Sequence, residues 1–274
     1  MMRISMSELT TYRWSFEEDV RHYTETGFDA IAVWRQKLSD FGEEKGAELI
    51  TECGLKVSSL LWAGGFTGSD GQSFKESVKD AHGAIDLAGM LGADGLIVHS
   101  GSRAGHTHNH ARRLLKNALN DLLPHAQEAG VVLVLEPMHE RCARDWTFLT
   151  NFEETITLID AIGQPHLKVA FNSYCFGLDD HTVTSLAALA PYLGVVQLSD
   201  ARDGPNGEQE RCPLGSGVIP LERIVLSLTE AGYEGFFEIE LMGQEIETAD
   251  YLELLRTSQQ VVSRLGRTGQ DTKV

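Results

Sequence analysis

A unit of about 30 residues recurs along this chain: a short apolar β-rich run, a polar loop, then an amphipathic helical stretch. Its seam is repeated in "TETGFDA", "ITECGLKV", "GMLGADGL", "AQEAGVVL" and "LTEAGYEG", each a helix end, a glycine and a turn into the next strand. The pattern predicts strands at Arg3–Met6, Ala30–Trp34, Lys56–Leu61, Gly95–His99, Val131–Glu136, Leu167–Asn172, Val195–Leu198 and Phe236–Glu240. Helices are predicted near Phe16–Thr26, Glu43–Cys53, Ser73–Leu91, Arg112–Ala129, Phe152–Ile162, Thr182–Leu189, Leu221–Ala231 and Ala249–Leu265. Strands apolar on both faces and joined by helical crossovers require a parallel sheet covered by helices. Eight such units in 274 residues fit one closed (β/α)8 TIM barrel over residues 1–265, with 266–274 expected as a disordered tail. No linker divides the chain into two domains. An open dinucleotide-binding sheet would place glycines after the first strand, yet Ser5–Trp14 contains none, and no phosphate-binding Gly-x4-Gly-Lys pattern occurs.

Charge narrows the partners. Forty Asp and Glu against 23 Lys and Arg give a formal net charge of −17, which repels phosphate backbones and anionic membranes, so no nucleic-acid or membrane partner is expected. Cys53, Cys142, Cys175 and Cys212 lie far apart, with no Cys-x-x-Cys spacing, and are too few for a disulfide scaffold. The opening "MMRISMSELTTYRW" lacks the apolar core of a signal peptide, and no apolar run approaches the ~20 residues of a membrane span. The expectation is a soluble cytoplasmic protein, with homo-oligomerisation left open.

A parallel barrel carries its active site at the C-terminal ends of its strands. Read in order, these ends offer His99 after strand 4, Glu136 and His139 after strand 5, and Asn172 and Cys175 after strand 6. Strand 7 brings Gln197 and Asp200. Strand 8 brings Glu238 and Glu240, two positions apart and so on one side, one deeper than the other. Glu136 ends a five-residue apolar run, where a carboxylate is costly to bury unless a metal, a cation or hydrogen bonds compensate. The plainer alternative is a salt-bridged carboxylate at the mouth. Trp34 and Trp62 end strands 2 and 3, where aromatic rings either stack on sugar faces or pack the core. In "GHTHNHARR", His106, His108 and His110 alternate in the loop after strand 4, either as a metal clamp or as a solvated loop entering a helix.

Several motifs carry a resemblance. "AIDLAGMLGADGLIVHSG" (84–101), "LEPMH" (135–139), "VAFNSYCFG" (169–177), "VQLSDARD" (196–203) with "RCPLGSGVIPL" (211–221), and "GYEGFFEIEL" (232–241) are similar, in order, to the sugar-phosphate isomerase/epimerase family with its xylose-isomerase-like barrel. The resemblance runs over nearly the whole chain. It implies a divalent-metal-dependent isomerase or epimerase of a small sugar or hydroxy-carbonyl compound, working through an enediolate. The family's Glu-Asp-His-Glu metal set falls on Glu136, Asn172, Gln197 and Glu240. Asn172 therefore stands in place of Asp, and Gln197 in place of His, as in the hydroxypyruvate-isomerase-like branch. Glu136 and Glu240 are the implied acid/base pair. The implied cofactor is Mn2+, Mg2+ or Zn2+, weakly held because only two ligands are anionic. The resemblance makes Arg211 a substrate contact, with Gly215 and Gly217 giving a flexible loop over the mouth, and puts Cys175 where a His beside the substrate is usual. Strand-end position adds His99, His139, Asp200 and Trp34 as candidate contacts, with Asp200 alternatively orienting loops and His139 capping its strand. The rival reading is a metal-free carbohydrate-binding or regulatory barrel that has lost catalysis.

Overall fold

In a computed structural model, which describes residues 2–271, the chain closes into a barrel of eight parallel strands in sequential order. These are β1 (Arg3–Ser7), β2 (Ala30–Trp34), β3 (Lys56–Gly64), β4 (Gly95–His99), β5 (Val132–Leu135), β6 (Leu167–Asn172), β7 (Leu193–Leu198) and β8 (Phe236–Ile239). The long outer helices are α1 (Phe16–Thr26), α3 (Glu43–Cys53), α4 (Phe74–Leu91), α5 (His108–Ala129), α6 (Phe152–Ile162), α8 (Asp180–Leu189), α9 (Leu221–Glu230) and α11 (Tyr251–Asp271). Three short helices lie outside the predicted pattern: α2 (Arg35–Phe41), α7 (Ser173–Phe176) and α10 (Gln244–Glu247). At four to seven residues they are too brief to show a helical period.

Local chemistry sets the boundaries. Ser15 and Ser73 form capping boxes with Glu18 and Glu76 at the starts of α1 and α4. Gly92 and Gly130 close α4 and α5 in the left-handed conformation. Two boundaries depart furthest from expectation. Thr107 caps α5 through the His110 N–H, so the helix starts at His108 rather than Arg112. The last helix continues through Asp271, into the stretch read as a tail, and 272–274 lie outside the described residues.

Two apolar cores result. The larger packs the outer faces of the strands against the helices. The smaller consists of Ala32, Leu61, Ile97, Val134, Ala170 and Val195 and fills the barrel interior. Side chains two residues on share a face, so Trp34, His99, Glu136, Asn172 and Gln197 form the next layer up, toward the mouth. Among the described residues, no helix is long and apolar enough to cross a membrane.

Candidate active site

The polar layer at the mouth is a closed hydrogen-bonded ring. Register places Asn172 beside Gln197 across β6 and β7, and Gln197 beside Glu238 across β7 and β8. The Asn172 amide stands at the centre, with Nδ2 donating to Glu136 Oε1 at 3.3 Å, Gln197 Oε1 at 3.2 Å and Glu240 Oε1 at 3.5 Å. Its orientation is fixed from behind, because Oδ1 accepts the Tyr174 N–H at 3.0 Å and so caps α7. Turning the amide over would set its NH2 against that N–H. Gln197 Nε2 donates to Glu240 Oε2 at 3.4 Å, and His99 Nε2 lies 2.9 Å from Glu136 Oε2. Gly64, at φ +145°, permits the close approach of β3 to β4 that holds His99, since a Cβ there would strike the His99 carbonyl.

Both carboxylates of the ring are buried. Burial raises the Glu240 pKa and Glu136 adds to the rise, while the Arg211 guanidinium, 2.7 Å from Oε1, pulls it back. Arg211 is itself buried and also donates to Gln209 at 3.2 Å. Expected as a substrate contact, it is an internal counter-ion in this structure. His99 Nδ1 and Arg211 Nε are buried without partners, which leaves hydrogen-bonding capacity on both sides of the ring.

The other predicted residues divide. Asp200 is engaged by its own loop: its Oδ1 accepts the N–H groups of Ala201 and Ile219, and its Oδ2 those of Gly215 and Gly217, at 2.9–3.2 Å. The loop expected to be flexible around those glycines is thereby fastened. Cys175 and His139 line a 660 Å3 hollow between α6 and α8, outside the ring. Its hydrogen bond with Cys142, together with burial, pushes the Cys175 thiol well up, so it stays protonated. Trp34 lines another hollow, of 310 Å3, with Arg35 and Trp62, and none of the ring residues reach it. The three histidines do not form a clamp. His106 meets the Thr67 carbonyl at 3.1 Å, His108 pairs with Glu154 at 2.8 Å, and His110 stacks on His106.

Two features escaped the sequence reading, the Trp146 packing and the Lys37–Asp19 pair, while Glu238 is the deeper of the two acids at the end of the last strand. Trp146 packs edge-on to Trp62 at 5.0 Å and against His99 at 5.3 Å, and all three line a 230 Å3 cavity. Its only sequence signal is an aromatic in the long loop after β5. Glu238 sits one layer below the ring, held by Ser58 Oγ at 2.9 Å and Ser59 Oγ at 2.7 Å. Beyond the ends of β1 and β2, buried Lys37 pairs with Asp19 at 2.5 Å, and Glu8 accepts the Trp34 N–H at 2.6 Å.

The ring does not fit the expected divalent ion. Hard cations take oxygen ligands. Asn172 turns N–H groups into the ring and spends its oxygen on Tyr174, Gln197 Oε1 accepts from Asn172, and Glu240 is already paired with Arg211. Glu136, Asn172, Gln197 and Glu240 thus meet as donors and acceptors for one another rather than as four oxygens around one cation. Among the described residues, no group of three or more His, Cys, Asp or Glu side chains is arranged to hold a metal.

Comparison with known proteins fits this frame. A family model described as xylose isomerase-like TIM barrel matches residues 20–260. An inosose isomerase from Bacillus velezensis is 21% identical over 271 residues, covering 94% of this chain and 95% of its own. A D-psicose 3-epimerase from Enterocloster bolteae is 27% identical over 124 residues, covering 45% of this chain and 37% of its own. The crystal structure of IOLI protein with a zinc atom superposes with a TM-score of 0.83 at 19% identity, covering 96% of this chain and 98% of that one. With a family match along most of a closed eight-strand barrel, the chain belongs to the xylose isomerase-like TIM barrel family.

Proposed function

We propose that this protein is a sugar isomerase or epimerase, moving a proton at a carbon next to a carbonyl in a small hydroxy-carbonyl compound. One observation carries the reading: two buried carboxylates, Glu136 and Glu240, face a common point, both accepting from the same Asn172 amide. Such a pair suits proton exchange, with one carboxylate taking the C–H proton as general base and the other carboxyl returning a proton to the adjacent carbon or the opposite face. The charge that develops is an enediolate oxygen, which N–H donors fixed in advance stabilise. Arg211 Nε is a buried N–H without a partner and is the group we assign to donate there, while His99, whose Nε2 faces Glu136, orients that carboxylate. Trp62 and Trp146 supply apolar faces against which a sugar's C–H surface packs. The relatives named for inosose and psicose support a carbohydrate as the substrate class.

The test is deuterium incorporation from D2O into D-fructose, D-psicose and a ketoinositol, followed by NMR. The folded wild-type protein should label at least one, and Glu136→Gln and Glu240→Gln should each slow labelling by about 10²–10⁴-fold. Undiminished labelling in Glu136→Gln would remove it from the acid/base role, and no labelling of any sugar by the wild type would remove the reaction itself.

A further inference from the structure

Resting on that reading, we propose that the ring is a metal-independent form of this proton-transfer site, in which the Asn172 amide and the Arg211 guanidinium position the two carboxylates that a divalent ion would otherwise gather. The ground is donor orientation. A cation would need oxygens pointing inward, whereas the α7 cap holds the Asn172 oxygen outward and its NH2 between Glu136 and Glu240. That NH2 bridges the carboxylates from the ring's centre, as a bound ion would, but through hydrogen bonds. The positive charge comes from Arg211, buried and 2.7 Å from Glu240, on a loop whose Arg211 N–H is tied to the Met242 carbonyl at 2.9 Å just beyond β8. His99 completes the set on the Glu136 side at 2.9 Å. Asn172 is a positioning residue, acting on the substrate through the carboxylates it holds, and Arg211 positions Glu240 in the same way through Nη1 while its Nε stays free for the substrate.

A divalent ion entering this ring would compete with Arg211 for the charge of Glu240 and, to gain the Asn172 oxygen, would have to turn Asn172 out of its cap. Replacing Asn172 by Asp reverses the balance: the bridging N–H groups disappear, a third carboxylate arrives, and an ion becomes the natural way to offset three close negative charges. A single change of amide to acid should therefore convert the site from indifferent to responsive toward metal.

The experiment titrates Mn2+, Mg2+ and Zn2+ against wild-type and Asn172→Asp protein by thermal melting, with elemental analysis of both, and measures wild-type labelling of the same sugars with and without EDTA. The wild type should purify without stoichiometric metal, melt at one temperature throughout, and label within about twofold with or without EDTA. Asn172→Asp should gain a Tm shift of roughly 3–6 °C once metal exceeds its dissociation constant about 100-fold. A concentration-dependent shift in the wild type, or labelling abolished by EDTA, overturns the proposal. A folded Asn172→Asp that ignores all three ions overturns Asn172 as the deciding residue. If Asn172→Asp does not fold, the wild-type melts and EDTA comparison decide alone. If the wild type labels no sugar under any condition, the isomerase reading fails, while flat melts would still bear out a ring closed without metal.

Discussion

Glu238 in the last strand and Glu240 just past its end stand two residues apart, both buried, in opposite circumstances. Glu240 has a cation at 2.7 Å and two amide donors. Glu238 has two serine hydroxyls, and its Oε1 is buried with no partner at all. Burial pushes the Glu238 pKa to about 7, with the Glu240 charge adding to the rise and the hydroxyls of Ser59 and Ser58 opposing it. On the upper floor a cation opposes the rise that burial imposes on a carboxylate, and on the lower floor only hydroxyls do. The difference is a counter-ion, not depth.

The largest expected effect comes from removing that counter-ion. Arg211→Met leaves Glu240 buried without its cation and should cost about 3–5 kcal/mol at pH 8 in urea unfolding, most of it recovered when Glu240→Gln is added. A loss below about 1 kcal/mol would mean the two floors differ for another reason.

Next is Glu238→Gln. The folded-state pKa of Glu238 lies above the ordinary 4.5, so the folded protein holds this proton more tightly than the unfolded chain does. Its contribution to stability therefore declines as pH rises from about 4.5 to about 7 and stays low above that. Glu238→Gln should be more stable than wild type by on the order of 2–3 kcal/mol at pH 8, with little difference at pH 4. Sugar labelling should stay within a few-fold of wild type, in contrast with Glu240→Gln. Equal pH profiles for wild type and Glu238→Gln would show that folding does not shift the Glu238 pKa. The smallest effect is Ser59→Ala: losing one hydroxyl donor to the carboxylate should cost about 1 kcal/mol at pH 8 and less at pH 5.

Much of this architecture was legible because it is periodic. The glycine-terminated helix ends and doubly apolar strands specify eight crossovers, and eight crossovers specify closure. Strand-end position likewise picked out His99, Glu136, Asn172, Gln197 and Glu240, which the structure gathers into one ring. Relations between distant segments were not legible. Trp146 reaches His99 from a loop without periodicity, and Lys37 meets Asp19 from another helix. Asn172 shows why residue type alone is insufficient. An asparagine can offer an oxygen or an N–H, and the choice is made by Tyr174, a neighbour whose backbone consumes the oxygen. Asp200 makes a related point: a strand-end acid beside a glycine-rich loop finds its donors in that loop.

The four N–H groups gathered by Asp200 bear on the thermodynamics of ligand capture. A segment already locked into its final shape loses no chain entropy when a small molecule arrives, so the wall carrying Arg211 behaves as a preformed mould. Recognition on that side should resemble docking to a rigid surface, with any rearrangement left to the opposite rim around Trp62 and Trp146.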